Sequence, residues 1–241
     1  MQVNDGRTMR YRVLSLRSAR WLIALKAAVV AIMLVGLPLA ANAAPAPAHV
    51  YLMRGVLNIF SLGMDQMANR LEQKGISASV HNHILWASVA DDAAAAYKSG
   101  RIKTVILVGH SSGATVLPDM VARLSAQGVP VKLAIGLDSV FHTSLSGKVG
   151  RYINYYIANG AGTRVEKSRN FSGSLDNVDV ERVPGISHVS IDKNEVIQQK
   201  VIAEIDAAVA SGPSAEPNAP RPPRGPPGAA PLPPSAKRAA N

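Results

Sequence analysis

Cysteine is absent from the 241 residues. That excludes a disulfide scaffold, a Cys-ligated zinc site and a thiol nucleophile. Aromatic residues are scarce, with three Phe and two Trp, so no stacking platform for bases is expected. Tyr152, Tyr155 and Tyr156 read as sheet packing. Acidic residues are outnumbered, and the formal net charge is +10. The excess is unevenly placed: residues 1–43 carry +5, residues 211–241 carry +3, and only +2 is left for 44–210. Basicity confined to the ends does not make a phosphate-binding groove, so nucleic acid is not an expected partner.

The ends are read as appendages to one domain. Residues 1–43 have the pattern of a signal peptide: Arg7, Arg10, Arg12, Arg17 and Arg20 precede an apolar stretch, and Ala41-Asn42-Ala43 gives the small-x-small cleavage pattern. The expected location is periplasmic or secreted. The alternative is an uncleaved inner-membrane anchor, because Trp21 to Ala41 reaches roughly the 20 residues a span requires. Residues 211–241 are rich in Pro, Ala and Gly. Such a segment has too few apolar side chains to offset its ordering entropy, and a disordered basic tail is expected.

Between them, 44–210 alternates short apolar runs with helical patterns. His49 to Met53 reads as a buried strand and Ser77 to His83 as a second. The run Thr104-Val105-Ile106-Leu107-Val108 is continuous and β-branched, as expected of a strand buried on both faces. Val131 to Leu137, Tyr152 to Ile157 and a region around Val178, Val180 and Val183 complete about six strands. Helices are expected at Met64 to Leu71, at Ala87 to Ser99 and at Val116 to Leu124, where Pro118 should kink or restart the helix. A last helix, burying Val196, Ile197, Val201, Ile202 and Ile205, is expected to open at an Asp192–Glu195 capping box. Strands separated by helices imply an α/β class, with a mostly parallel sheet covered on both faces. In such sheets ligands bind beyond the carboxyl ends of the strands.

The strongest strand runs directly into Gly109-His110-Ser111-Ser112-Gly113, and a helix follows. This is G-x-S-x-G in its strand–turn–helix context, which makes Ser111 the candidate nucleophile. The Ser112 N–H then points where an oxyanion would form, and the Val56 N–H, beside Gly55, is the candidate second donor. With the chain order Ser, acid, His, the base is His188 in Gly185-Ile186-Ser187-His188. Asp138, at the end of a buried strand, is favoured as the acid, with Asp176 and Asp179 as rivals. His142 lies too close to Asp138 in sequence to share a triad with it. His81 and His83 are a candidate metal pair on one strand face, but no third ligand is evident, so no metal and no cofactor is expected. Gly160-Ala161-Gly162 lacks the third glycine of a dinucleotide loop.

These motifs resemble the α/β-hydrolase superfamily, and within it small exported thioesterase- and lipase-like bacterial proteins. The resemblance runs from about His49 to Val209 and rests on Val105 to Gly113, Leu137-Asp138-Ser139 and Gly185 to His188. It implies an α/β-hydrolase domain, from which the sequence departs in two respects: the usual leading antiparallel strands are absent, so the sheet is minimal, and Ser139 to Gly150 is too short for a lid domain. It also implies a serine hydrolase acting on an ester or thioester of a small molecule or lipid. A hydrolase-fold binding protein without turnover, recruited through the Pro-rich tail, is the alternative.

Overall fold

The computed structural model describes residues 47–56 and 61–213. The signal-peptide and anchor readings of 1–43 and the tail reading from 214 onward lie outside these residues. Six strands form one sheet: β1 (Ala48–Arg54), β2 (Ser77–Asn82), β3 (Thr104–His110), β4 (Val131–Leu137), β5 (Thr143–Tyr156) and β6 (Val165–Asp179). Their order is β2-β1-β3-β4-β5-β6 and every pairing is parallel. Among the described residues five α-helices accompany them: α1 (Gly63–Gln73), α2 (Trp86–Lys98), α3 (Ser112–Thr115), α4 (Leu117–Ala126) and α5 (Glu195–Ala210). Within the described residues the path runs from β1 outward to β2, then crosses back to β3 and continues the other way. The order therefore reverses between β1 and β3, where parallel sheets open a crevice at their carboxyl edge.

Alternate residues of the central strands feed two cores. On one face Val50, Leu52, Ile106, Val108 and Ile135 pack against Met64, Met67 and Leu71 of α1 and Ile197, Val201 and Ile205 of α5. On the other, Met53, Val105 and Leu107 meet Val89, Ala90 and Ala93 of α2 and Met120, Val121 and Leu124 of α4. All seven residues of β3 are buried, which is why its sequence shows no alternation. Full burial of such side chains contributes about 1.5–3 kcal/mol each.

The second half of the sheet departs from the expected strand–helix alternation. No helix separates β4 from β5, or β5 from β6. A straight β5 would extend roughly 45 Å at strand rise. The eight residues between Tyr156 and Val165 span at most about 28 Å, so the strands must fold back. Asn177, near the end of β6, shows that they do: its side chain accepts from the Val165 N–H and donates to the Val165 carbonyl, at 2.9 and 3.0 Å. The bends fall near Gly147 (φ 75°) and Gly173 (φ 138°), conformations that glycine adopts without strain. In β5 the first arm carries Leu145 into the α4-side core, and Ser125 of α4 hydrogen-bonds both backbone groups of Lys148 at the bend. Extended chain thus takes the place of crossover helices.

Other expectations are corrected locally. β2 ends at Asn82, and His83 opens a short 3-10 turn, so His83 does not share a strand face with His81. The neighbour of His81 is instead His49; each Nε2 lies 2.8 Å from the Ser79 hydroxyl. Among the described residues no group of three or more His, Asp or Glu is placed to hold a metal. The last helix is capped by Asn194, whose side chain accepts from the Val196 and Ile197 N–H groups. Asp192 is buried rather than capping, and Val196 is exposed. Val180 and Val183 lie beyond the last strand, which starts far earlier than the valines indicate. Pro118 does restart a helix: α3 ends at Thr115 and α4 opens with Pro118 in its first turn.

Candidate active site

The G-x-S-x-G turn is as tight as its sequence requires. Residue 109 has no room for a Cβ because the backbone of Gly113 and Ala114 fills that space, and a Cβ on residue 113 would run into the Met53 carbonyl of β1. Between them Ser111 adopts φ 57°, ψ −123°, a strained conformation for a side chain with a Cβ. Its N–H is held by the Leu137 carbonyl at 2.9 Å. The turn therefore locks β1, β3 and β4 together at the carboxyl edge, with the serine at its apex.

Three side chains meet there. Ser111 Oγ lies 2.9 Å from His188 Nε2, and His188 Nδ1 lies 2.7 Å from Asp138 Oδ2. A carboxylate only accepts. His188 therefore donates through Nδ1–H, leaving Nε2 to accept from the serine hydroxyl. Asp138 is fully buried and its other oxygen, Oδ1, accepts from the Ile157 N–H at 3.0 Å. It is the second non-glycine residue with positive φ (53°) among the described residues, Ser111 being the first. Asp176 instead pairs with Arg151 at 2.8 Å, and Asp179 accepts from the Ala158 and Glu181 N–H groups. His142 faces Glu166 on the surface. The structure thus brings Ser111, Asp138 and His188 together and leaves the rivals elsewhere.

Strand order, a strained serine elbow after β3, and an acid and a histidine on the following loops coincide at one edge. The fold is α/β, an all-parallel six-stranded sheet that carries these three residues at its carboxyl edge. Within it, Gly55 and Val56 of the loop after β1 line the same cavity as Ser111, His188 and Val189, with a volume of about 160 Å³. A Cβ on residue 55 would press on Ser111 Cβ, so glycine lets this loop lie against Ser111. Ser112 starts α3, a helix of four residues. A larger cavity of about 520 Å³ lies at the amino edge, lined by Val131, Lys148, Arg151, Glu204 and Ser211. Ser111, Asp138 and His188 do not line it, whereas Ser111 and His188 line the smaller cavity.

Some site residues carried no sequence signal. Gly162 abuts the Asp138 carboxylate, which fills the place of a Cβ. Ser61 and His110, each about 1% exposed, line the same cavity as Ser111, with Ser61 Oγ and His110 Nδ1 2.8 Å apart. Burial holds the His110 imidazole below its ordinary value, opposed mainly by the charge of Asp192. Burial likewise pushes the Asp192 carboxyl up, opposed by His110. Asp192 Oδ2 accepts from the Gly63 N–H at the start of α1.

Neither a family model nor a curated protein matches this chain. Solved structures that resemble it include two hydrolytic proteins. An acetylxylan esterase is 13% identical with a TM-score of 0.43, covering 69% of this chain and 100% of its own. A hydrolase of the alpha/beta superfamily from Xanthomonas campestris pv. campestris is 15% identical with a TM-score of 0.37, covering 64% of this chain and 98% of its own.

Proposed function

We propose that the protein is a serine hydrolase that cleaves a carboxylic ester or thioester through an acyl-enzyme intermediate. The observation that carries this reading is the unbroken chain from Ser111 Oγ through the His188 ring to Asp138 Oδ2, at 2.9 and 2.7 Å. Ser111 attacks the acyl carbon while His188 Nε2 takes its proton; the same nitrogen returns the proton to the leaving alcohol or thiol. Water then attacks the acyl-serine with His188 again as base, releasing the acid and restoring the serine. Asp138 holds the ring in the Nδ1–H tautomer and stabilises the imidazolium. The N–H groups of Ser112 and Val56 are the proposed oxyanion donors. The cleft requires no metal or cofactor in this mechanism.

Val56 and Val189, both about half exposed, border the cleft. Their exposure supports an ester with apolar groups beside the scissile bond. The test is turnover of activated esters and thioesters of increasing acyl length by purified protein. Hydrolysis by wild type and its loss in Ser111→Ala support the reading; wild-type inactivity across the panel opposes it and favours the binding-protein alternative. Export is proposed alongside, from the Ala41-Asn42-Ala43 pattern.

A further inference from the structure

His110 lies inside the elbow, buried, and together with Ser61 it lines the inner wall of the cavity beside Ser111. Its Nε2 is 2.8 Å from the backbone carbonyl of His188. A carbonyl can only accept, so His110 donates there through Nε2–H. The imidazole is neutral when Nδ1 carries no proton, and Nδ1 then accepts from the Ser61 hydroxyl at 2.8 Å. Ser61 Oγ in turn accepts from the Gly55 N–H at 2.9 Å. The directions are mutually consistent: Gly55 N–H to Ser61, Ser61 O–H to His110, His110 N–H to His188.

We infer that His110 and Ser61 are positioning residues that tie the loop bearing the oxyanion donor to the loop bearing the catalytic base. The inference rests on the serine-hydrolase reading of Ser111. Its physical content is that two loops from opposite ends of the chain, after β1 and before α5, share one buried hydrogen-bonded rod. The two rings, His110 and His188, also lie 5.3 Å apart between centroids, so motion of either loop is felt at the other. Buried polar chains of this kind set geometry when every member is satisfied. A misplaced base or oxyanion donor costs rate rather than binding.

The test combines a spectroscopic and a kinetic readout. Nitrogen-15 NMR of the histidine rings at neutral pH should show His110 as the Nε2–H tautomer. The Nδ1–H tautomer, or an imidazolium, overturns the inference. Ser61→Ala and His110→Leu, folded by circular dichroism, should each lower kcat about 10- to 100-fold with little change in KM. The double variant should be no worse than the poorer single variant, because both break one chain. His110→Gln, whose amide N–H reaches about as far as Nε2, should restore most of the His110→Leu loss. If His110→Leu fails to fold, Ser61→Ala and His110→Gln carry the kinetic test. Wild-type kcat in a folded Ser61→Ala, or additive losses without rescue, overturns the inference while leaving Ser111 as nucleophile. Absence of turnover in wild type removes the parent reading, and this inference with it.

Discussion

Gly162 and Asp138 share one volume: the carboxylate of Asp138 occupies the space a Cβ on residue 162 would need. Gly162→Ala should therefore displace the acid or the 160–163 loop. The expected result is a drop in kcat of about 10-fold or more and a stability loss of about 1–3 kcal/mol from overpacking. Steady-state kinetics and thermal melts check both. Wild-type kcat with wild-type melting would show that the loop relaxes without touching the acid.

Replacing Asp138 by Asn should lower the rate by up to roughly 10⁴, because the ring loses its tautomer control. Asp176→Asn and Asp179→Asn should change it little, since those carboxylates serve Arg151 and local backbone. Turnover of all three folded variants on one activated ester decides between them.

The elbow glycines make a stability prediction. A methyl group at residue 113 must enter the space of the Met53 carbonyl, which would push β3 from β1. Gly113→Ala should cost about 3 kcal/mol or more in denaturant unfolding, at the upper end of overpacking penalties. Gly128, at φ 74° with open space around its Cβ position, is the contrast: substitution there meets only backbone strain, a cost of about 1–2 kcal/mol.

Acid should reveal His110. Burial lowers its folded-state pKa below the ordinary 6.5. Above that value the ring is neutral in both states and contributes no pH dependence. As pH falls below about 6.5, the unfolded chain takes the proton first, and stability declines until the folded-state value is reached. His49 and His81, also lowered by burial, slope the same way. The diagnostic is thus the difference between wild type and His110→Gln, which should shrink as pH falls from 7 toward 5. A difference independent of pH would mean that His110 titrates normally.

The first half of the fold was legible because its signals are local. Thr104 to Val108 is apolar without alternation, Gly109 to Gly113 fixes the elbow, and Pro118 marks a helix restart. Ser111, Asp138 and His188, which the structure brings within hydrogen-bonding distance of one another, were reached from strand ends and chain order alone. The folded-back strands were not legible, because 143–148 and 165–174 are mostly polar or exposed and show no period. Their conformation depends on Gly147, Gly173 and the clamp of Asn177 on Val165, contacts between residues far apart in sequence. Asp192 and Glu195 looked like a capping box because spacing cannot tell a cap from a buried carboxylate. Tertiary contacts decided it: Asp192 reaches Gly63, and Glu195 pairs with Arg70. Ser61 stayed silent for the same reason, its partners lying 6 and 49 residues away.

The central claim is that Ser111 is a nucleophile activated by His188. Treatment with a fluorophosphonate, followed by peptide mass mapping, tests it most directly. A single adduct on the peptide containing Ser111, absent in Ser111→Ala and strongly slowed in His188→Ala, is the predicted result. An adduct on another residue, or equal labelling of wild type and Ser111→Ala, would contradict it.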